Sequence, residues 1–212
     1  NSAFAEAQII PVSALKGEGI DELRSALDDL LADIPPHTET GKPRLPVDRV
    51  FSVPGFGTIV TGTLLGGPLE VGQEIELQPA GLRTRVRGLQ SHQQKVETAF
   101  PGRRTAVNLT GVSVDDVSRG NVITLPGWLK PTQMLDARVR VVDNAPFALE
   151  QNDEVDFFVG SSETIARVTL LDAEKIEPGN EGWIQIRFPR PVAAVRNDRF
   201  ILRRPSPSET IG

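Results

Sequence analysis

The sequence predicts a mainly β protein in which a strand-loop-helix unit precedes two all-β domains in tandem. Three observations carry this. The apolar period changes from about 3.6 residues to about 2 after Arg44. The later segments are short and separated by turns: Gly66-Gly67-Pro68, Val71-Gly72-Gln73, Pro79-Ala80-Gly81, Phe100-Pro101-Gly102 and Ser118-Arg119-Gly120-Asn121. Strands of this length and spacing indicate a barrel or a sandwich. Helical spacing is confined to the stretch before the Pro35-Pro36 stop.

In chain order, residues 8–12 (QIIPV) form an apolar run that reads as a strand, with Ser13-Ala14-Leu15-Lys16-Gly17-Glu18-Gly19 after it as a loop. Ile20, Leu23, Leu27, Leu30, Leu31 and Ile34 then fall on one helical face. Asp21 and Glu22 occupy the first turn, where the helix dipole favours acids. Such a unit closes an α/β domain. Residues 39–43 read as a linker, with residues 1–38 before it. The first all-β domain, 44–130, contains strands at Val47–Val53, Ile59–Leu65, Glu74–Leu77, Arg83–Leu89, Thr105–Leu109 and Asn121–Thr124. The second, 131–204, contains Leu135–Val142, Glu154–Val159, Thr164–Leu171, Gly182–Phe188 and Arg199–Leu202. Residues 205–212 (PSPSETIG) read as the start of a further linker, and the chain as part of a longer protein.

Composition excludes several functions. No apolar run reaches the roughly 18 residues a membrane span needs. With no cysteine, and with His37 and His92 far apart, neither a disulfide framework nor a zinc site is expected. A net charge of -5 argues against a general polyanion binder. Locally the balance reverses: Arg187, Arg190, Arg196, Arg199, Arg203 and Arg204 face the single acid Asp198. Such a face can bind phosphate backbones even when the whole chain is acidic; the alternative is a solvated sheet face followed by a linker. Trp128 and Trp183 are expected in the core or at a barrel edge.

Gly55-Phe56-Gly57 is not a nucleotide loop. Its third glycine is Gly62, and no helix pattern comes after it. Gly41-Lys42 is succeeded by Pro43, with Pro36 where a phosphate loop needs glycine. The glycines instead suit a tight hairpin approached closely by another backbone or a ligand.

That hairpin, Val47 to Leu64 (VDRVFSVPGFGTIVTGTL), resembles the opening of the second domain of translational GTPases of the elongation factor Tu type. The resemblance implies that the all-β domains are β-barrels and that Ser13, Ala14 and Leu15 form the guanine-binding loop of a GTPase domain. Asp48, Arg49, His92 and Arg104 then match the aminoacyl pocket. Val53, Gly55, Ile59 and Gln90 match positions around the terminal adenosine of tRNA. Tu-type factors carry two acids at the positions of Asp48-Arg49, Asn at Arg104 and Arg at Phe56. The two added arginines resemble the pattern of selenocysteine-specific (SelB-like) elongation factors; apart from the resemblance, Arg49 and Arg104 read as outward strand residues paired with Asp48 or Glu97.

The function this resemblance implies is GTP-dependent delivery of selenocysteinyl-tRNA to the ribosome in the cytoplasm. Arg187, Arg196 and Arg199 would touch the tRNA backbone. GTP and Mg2+ would serve the full-length protein, a GTPase, and none would serve this chain, which has no phosphate loop and no catalytic residues of its own. An mRNA selenocysteine-insertion hairpin would be read by a further C-terminal region. A general factor of the superfamily and a non-enzymatic β-barrel interaction module are the competing readings. Arg49 and Arg104 disfavour the first, and the Ser13-Ala14-Leu15 unit the second.

Overall fold

The computed structural model describes residues 7–32, 40–206 and 209–212. The chain divides into two compact units, 1–38 and 39–212. In the first, helix α1 (Ile20–Ala32) forms as the spacing predicts, with Asp21 and Glu22 in its first turn. None of its residues is buried, and Leu27, Leu30 and Leu31 are exposed. Residues 8–12 are in no strand among the described residues, because no ladder partner lies beside them, and Ile9 is exposed. Ile34, the Pro35-Pro36 stop and His37 fall outside the described residues.

The second unit holds two β-barrels. The first comprises β1 (Arg44–Val53), β2 (Gly57–Thr63), β3 (Leu69–Glu70), β4 (Glu74–Gln78), β5 (Leu82–Ser91), β6 (Gln94–Val96), β7 (Thr98–Ala99), β8 (Arg104–Leu109) and β9 (Val122–Thr124). Strand order β4-β9-β1-β2-β8-β5, with β5 returning to pair with β4, closes a six-stranded barrel. Leu45, Val47, Val60, Val107 and Leu89 point inward and form its core with Ile75, Leu77 and Ile123. Closure brings β1 hard against β2. A Cβ on Gly62 would lie 2.2 Å from the Pro46 carbonyl oxygen and 2.7 Å from Leu45 Cδ2, so only glycine fits there.

The second barrel comprises β10 (Thr132–Arg140), β11 (Leu149–Glu150), β12 (Glu154–Val159), β13 (Ser162–Leu170), β14 (Lys175–Ile176), β15 (Glu181–Val192), β16 (Phe200–Arg204) and β17 (Glu209–Thr210). Its main sheet runs β10-β15-β13-β12-β16-β17. The Val142 N–H donates to the Ile211 carbonyl at 2.7 Å, joining the two ends of that sheet. Phe157 centres the core, edge-on to Phe188 at 4.9 Å and stacked on Phe200 at 5.4 Å.

Two segments that composition assigns to linkers are structural. Thr40 donates its N–H to the Gly66 carbonyl at 2.7 Å, so residues 40–43 are tied to the first barrel. Glu209–Thr210 pairs with β16, and Ile211 is 3% exposed in the second core. A single apolar residue at the end of a polar run gives too weak a signal to reveal a strand. Trp183, on the central strand β15, is 48% exposed and lies neither in the core nor at an edge. No helix among the described residues is long and apolar enough to cross a membrane.

The barrels are joined through β1. Arg44 donates both guanidinium nitrogens to Asp198, at 2.5 and 2.6 Å, with both side chains largely buried. Asp198 also accepts the Val195 N–H at 2.9 Å. The Ser161 hydroxyl donates to the Val47 carbonyl at 2.7 Å, and Arg119 Nε donates to the Ser161 carbonyl at 3.3 Å. Removing one partner of a largely buried pair leaves an uncompensated charge, at a cost of about 3 kcal/mol. Arg44→Ala and Asp198→Ala are each expected to destabilise the chain by that order, read from its urea midpoint. Arg44→Met with Asp198→Leu should recover most of the loss, and equal destabilisation by the double variant would contradict the uncompensated-charge argument.

Candidate nucleic-acid interface

The register of the first barrel assembles one outward face. Cross-strand partners share a face, and Phe51 pairs with Ile59, Ile59 with Asn108, and Asn108 with Gly88. The next row runs Arg49, Thr61, Ala106, Gln90, Lys95. Beyond it, Thr63 pairs with Arg104, while the neighbouring pair Ser91–Thr105 is buried on the inward side. Two β-bulges flank this face. One falls between Val47 and Arg49 and makes Asp48 the extra residue; the other falls between Val86 and Gly88 and does the same for Arg87. A bulge re-aims the side chain it inserts. Here it turns Asp48 towards Thr61 and Arg104, and Arg87 towards the Phe56 carbonyl, to which its guanidinium donates at 3.2 Å.

Asp48 and Arg104 form a fork of two parallel hydrogen bonds, 2.5 Å from one guanidinium nitrogen and 2.9 Å from the other. The Thr61 hydroxyl donates to Asp48 at 2.7 Å and accepts from Arg104 at 3.2 Å. Burial alone would raise the Asp48 pKa, but the hydrogen bonds from Arg104 and Thr61 and the charges of Arg104 and Arg49 outweigh it, and the net shift is downward. The same hydrogen bond to Asp48 raises Arg104. Arg49 itself is exposed on β1. With one carboxylate against two guanidiniums, the cluster carries a net charge of +1.

Adjacent to this cluster lies a cavity of about 550 Å³. Val53, Gly55, Ile59 and Gln90, the four positions matched to a terminal adenosine, all line it. Phe51, Phe56, Arg87 and Asn108 line it too, and only the register reveals that they join those four. Its rim is the turn Val53-Pro54-Gly55-Phe56, closed by the Phe56 N–H donating to the Val53 carbonyl at 3.0 Å. Pro54 presets its second position, and Gly55, at φ +80°, supplies the left-handed third. Phe56 is half exposed at the tip.

None of the other expected residues is among those that line the cavity. His92, at φ 51°, and Gln93, at φ 63°, form the two-residue turn between β5 and β6, one step past the Ser91–Thr105 pair. His92 therefore stands level with Arg104 but does not line the cavity. Ser13 closes its own loop, its carbonyl accepting the Gly17 N–H at 2.8 Å and its N–H donating to Glu18 at 3.0 Å, and Leu15 is 96% exposed. Arg187 is on the outer face of β15, with Nε and one terminal nitrogen donating to Gln185 at 3.2 and 3.1 Å. Arg196 and Arg199 lie in the connection from β15 to β16, where Arg196 borders a second cavity together with Trp183. Arg203 and Arg204 leave this group. The first lies over Phe158 and the second over Phe147, with Asp153 3.7 Å from Arg204. Among the described residues no cluster of His, Asp or Glu could hold a metal ion.

Both barrels have counterparts among known proteins. Residues 57–124 match elongation factor Tu domain 2, and residues 136–212 match the β-barrel domain of selenocysteine-specific elongation factors. The selenocysteine-specific elongation factor of Desulfomicrobium baculatum is 43% identical over 205 residues, covering 97% of this chain and 32% of that protein. The chain thus spans about a third of that relative's length. The crystal structure of a bacterial selenocysteine-specific elongation factor superposes with a TM-score of 0.82 at 27% identity, covering 97% of this chain and 33% of the other. Translation elongation factor SelB from Methanococcus maripaludis, in its apo form, gives 0.79 at 25% identity, covering 96% and 50%.

A depressed folded-state pKa contributes stability that is present above the ordinary carboxylate range and lost as pH falls through the depressed value. Asp48 should therefore titrate below its ordinary value of 3.8 in a carboxyl carbon NMR titration. Arg104→Ala should move the midpoint back upward, and a wild-type midpoint at or above the ordinary value would contradict the fork.

Proposed function

The chain belongs to the family of selenocysteine-specific elongation factors, and on that premise we propose that it forms the tRNA-holding part of a GTP-dependent factor delivering selenocysteinyl-tRNA to the ribosome in the cytoplasm. Residues 44–130 receive the aminoacylated 3′ end, and residues 131–204 hold the tRNA backbone. The observation that supports this best is the continuous face on which the Asp48–Arg104 fork and Arg49 adjoin the cavity lined by Val53, Gly55, Ile59 and Gln90. A terminal nucleotide in the cavity leaves its esterified amino acid beside the arginines.

The charge of the cluster supplies the selectivity. A selenol is far more acidic than a thiol, whose reference pKa is about 8.5, so the selenocysteinyl side chain is an anion at neutral pH. A cluster of net +1 is neutralised by that anion and left uncompensated by a neutral seryl hydroxyl. Guanidiniums keep their charge throughout the physiological range, so this preference does not titrate away. His92, at the level of Arg104, adds a polar group to the same end of the face.

GTP and Mg2+ serve the whole protein. The Ser13–Leu15 loop fits an edge contact with guanine, because the amides of Ala14 and Leu15 make no hydrogen bond among the described residues and Leu15 is exposed. When bound, the nucleotide supplies the switch between the tRNA-holding and tRNA-releasing states. The chain has no phosphate-cradling loop, so contacts to the phosphates do not belong to these residues. The ribosome and an mRNA hairpin are the further partners that this role requires.

Two outcomes test the proposal in full-length protein bound to GTP. Arg104→Asn with Arg49→Asp should erase the preference for selenocysteinyl over seryl forms of the same tRNA. Each charge-assisted hydrogen bond contributes about 1.5 to 3 kcal/mol, so selectivity should fall at least about tenfold, read from the two dissociation rates. Equal weakening of both forms would mean that the arginines hold the tRNA end rather than the selenolate. Arg196→Ala with Arg199→Ala should weaken both forms alike and flatten the salt dependence of binding, by up to about 0.9 in logarithmic slope for each phosphate no longer neutralised. An unchanged slope would return these arginines to a solvated surface.

A further inference from the structure

Asn108 is the one polar residue in an otherwise apolar row. Its partners on either side are Ile59 and Gly88, and Phe51 lies beyond Ile59. The side chain lines the cavity, yet its Oδ1 is buried without any hydrogen-bond partner. A buried acceptor left unpaired lowers stability, and an apolar residue of similar volume would fill this position without that cost. Beside it, Gly88 leaves open space, since a Cβ built there meets nothing within 4 Å. The cavity thus presents an apolar wall and two aromatic rings at Phe51 and Phe56, with Arg87, Gln90, Lys95 and Glu97 also lining it, and one carboxamide, that of Asn108, whose oxygen is buried without a partner.

The amide torsion is broad and roughly two-fold, so a half-turn exchanges the oxygen and nitrogen ends at little cost. A ligand that stacks on the apolar wall and offers a donor next to an acceptor would satisfy both ends together. Adenine has that edge, an exocyclic amino group beside a ring nitrogen, and asparagine is its matching side chain. We infer that the Asn108 carboxamide reads the base of the terminal nucleotide in this cavity, accepting from the adenine amino group and donating to the adjacent ring nitrogen. The inference rests on the proposed binding of the tRNA acceptor end to the first barrel. It assigns base selectivity to Asn108, separately from the amino-acid selectivity of Arg49 and Arg104.

The test compares one tRNA ending in adenosine, ending in purine riboside, which lacks the amino group, or shortened by its last nucleotide, each bound to full-length protein with GTP. Wild type should bind the adenosine form about tenfold more tightly than the purine riboside form. Asn108→Leu should bind those two within about twofold of each other, because the variant has no acceptor to satisfy. Asn108→Ala should do the same and serves where the leucine variant does not fold. Equal wild-type affinities for the two forms, or a preference that survives both substitutions, would overturn the role of Asn108. If the shortened tRNA binds as tightly as the intact one, the cavity does not hold the terminal nucleotide and the acceptor-end proposal falls as well.

Discussion

Strand β1 is the constraint on which the rest of the structure depends. At its start Arg44 is locked to Asp198 of the second barrel, and two residues on, Pro46 packs so close to β2 that Gly62 can carry no side chain. The Val47 carbonyl accepts from both the Gly120 N–H and the Ser161 hydroxyl. The strand is therefore fixed immediately before the bulge at Asp48. A bulge held on one side only would leave its extra side chain to swing. Held here by Val47 and paired on the far side through Arg49 and Thr61, it presents the Asp48 carboxylate in one direction. The second barrel thus bears on the geometry of the first barrel's pocket through the Ser161 hydrogen bond to β1 and one buried ion pair.

The same ion pair resolves the charge distribution. Asp198 is the single acid within the arginine-rich stretch that ends the second barrel, and it is committed to Arg44. Arg203 and Arg204 are drawn off to Phe158 and to Phe147 with Asp153. Arg187, Arg190, Arg196 and Arg199 remain at the surface, all exposed. A chain of net charge -5 keeps a local basic patch because the acid within that stretch is already paired.

Most of the fold could be read from the sequence because its strands carry clean alternation and its turns carry glycine and proline. Val47–Val53, Ile59–Leu65 and Thr105–Leu109 each match an observed strand to within a few residues. β17 could not be read, since Glu209–Thr210 is held by β16 and by Ile211 rather than by any pattern of its own. The helix showed in its spacing, whereas residues 8–12 had only an apolar run, and a strand also needs a partner. The site was half legible. Residue identity marked Arg49 and Arg104 as unusual and offered Asp48 as a partner for them, and the structure pairs Arg104 with Asp48; the Thr61 contact and the bulge that sets the geometry depend on a register shift of one residue, which no spacing in the sequence announces. Asn108 had no signal at all. Its position in a strand with alternating burial looks like any outward polar residue until the cross-strand partners are known.

In the proposed anion pocket, Asp48 gives the two arginines an acid of their own, and the benefit is physical. Two guanidiniums on one barrel face repel one another, and left alone they would attract any anion, phosphate included. A carboxylate between them holds Arg104 in a fixed fork and lowers the cluster from +2 to +1. The fixed orientation reduces the ordering that a ligand must impose on binding. The lower charge matches a ligand bearing a single negative charge and disfavours one bearing two. Because Thr61 hydrogen-bonds both partners, Asp48 need not leave when the ligand arrives; an incoming anion can engage Arg49 and the open edge of Arg104 instead. Under the proposed function, discrimination rests on charge balance within a preset geometry, which the bulge in β1 supplies and the Ser161 hydrogen bond to Val47 helps to hold.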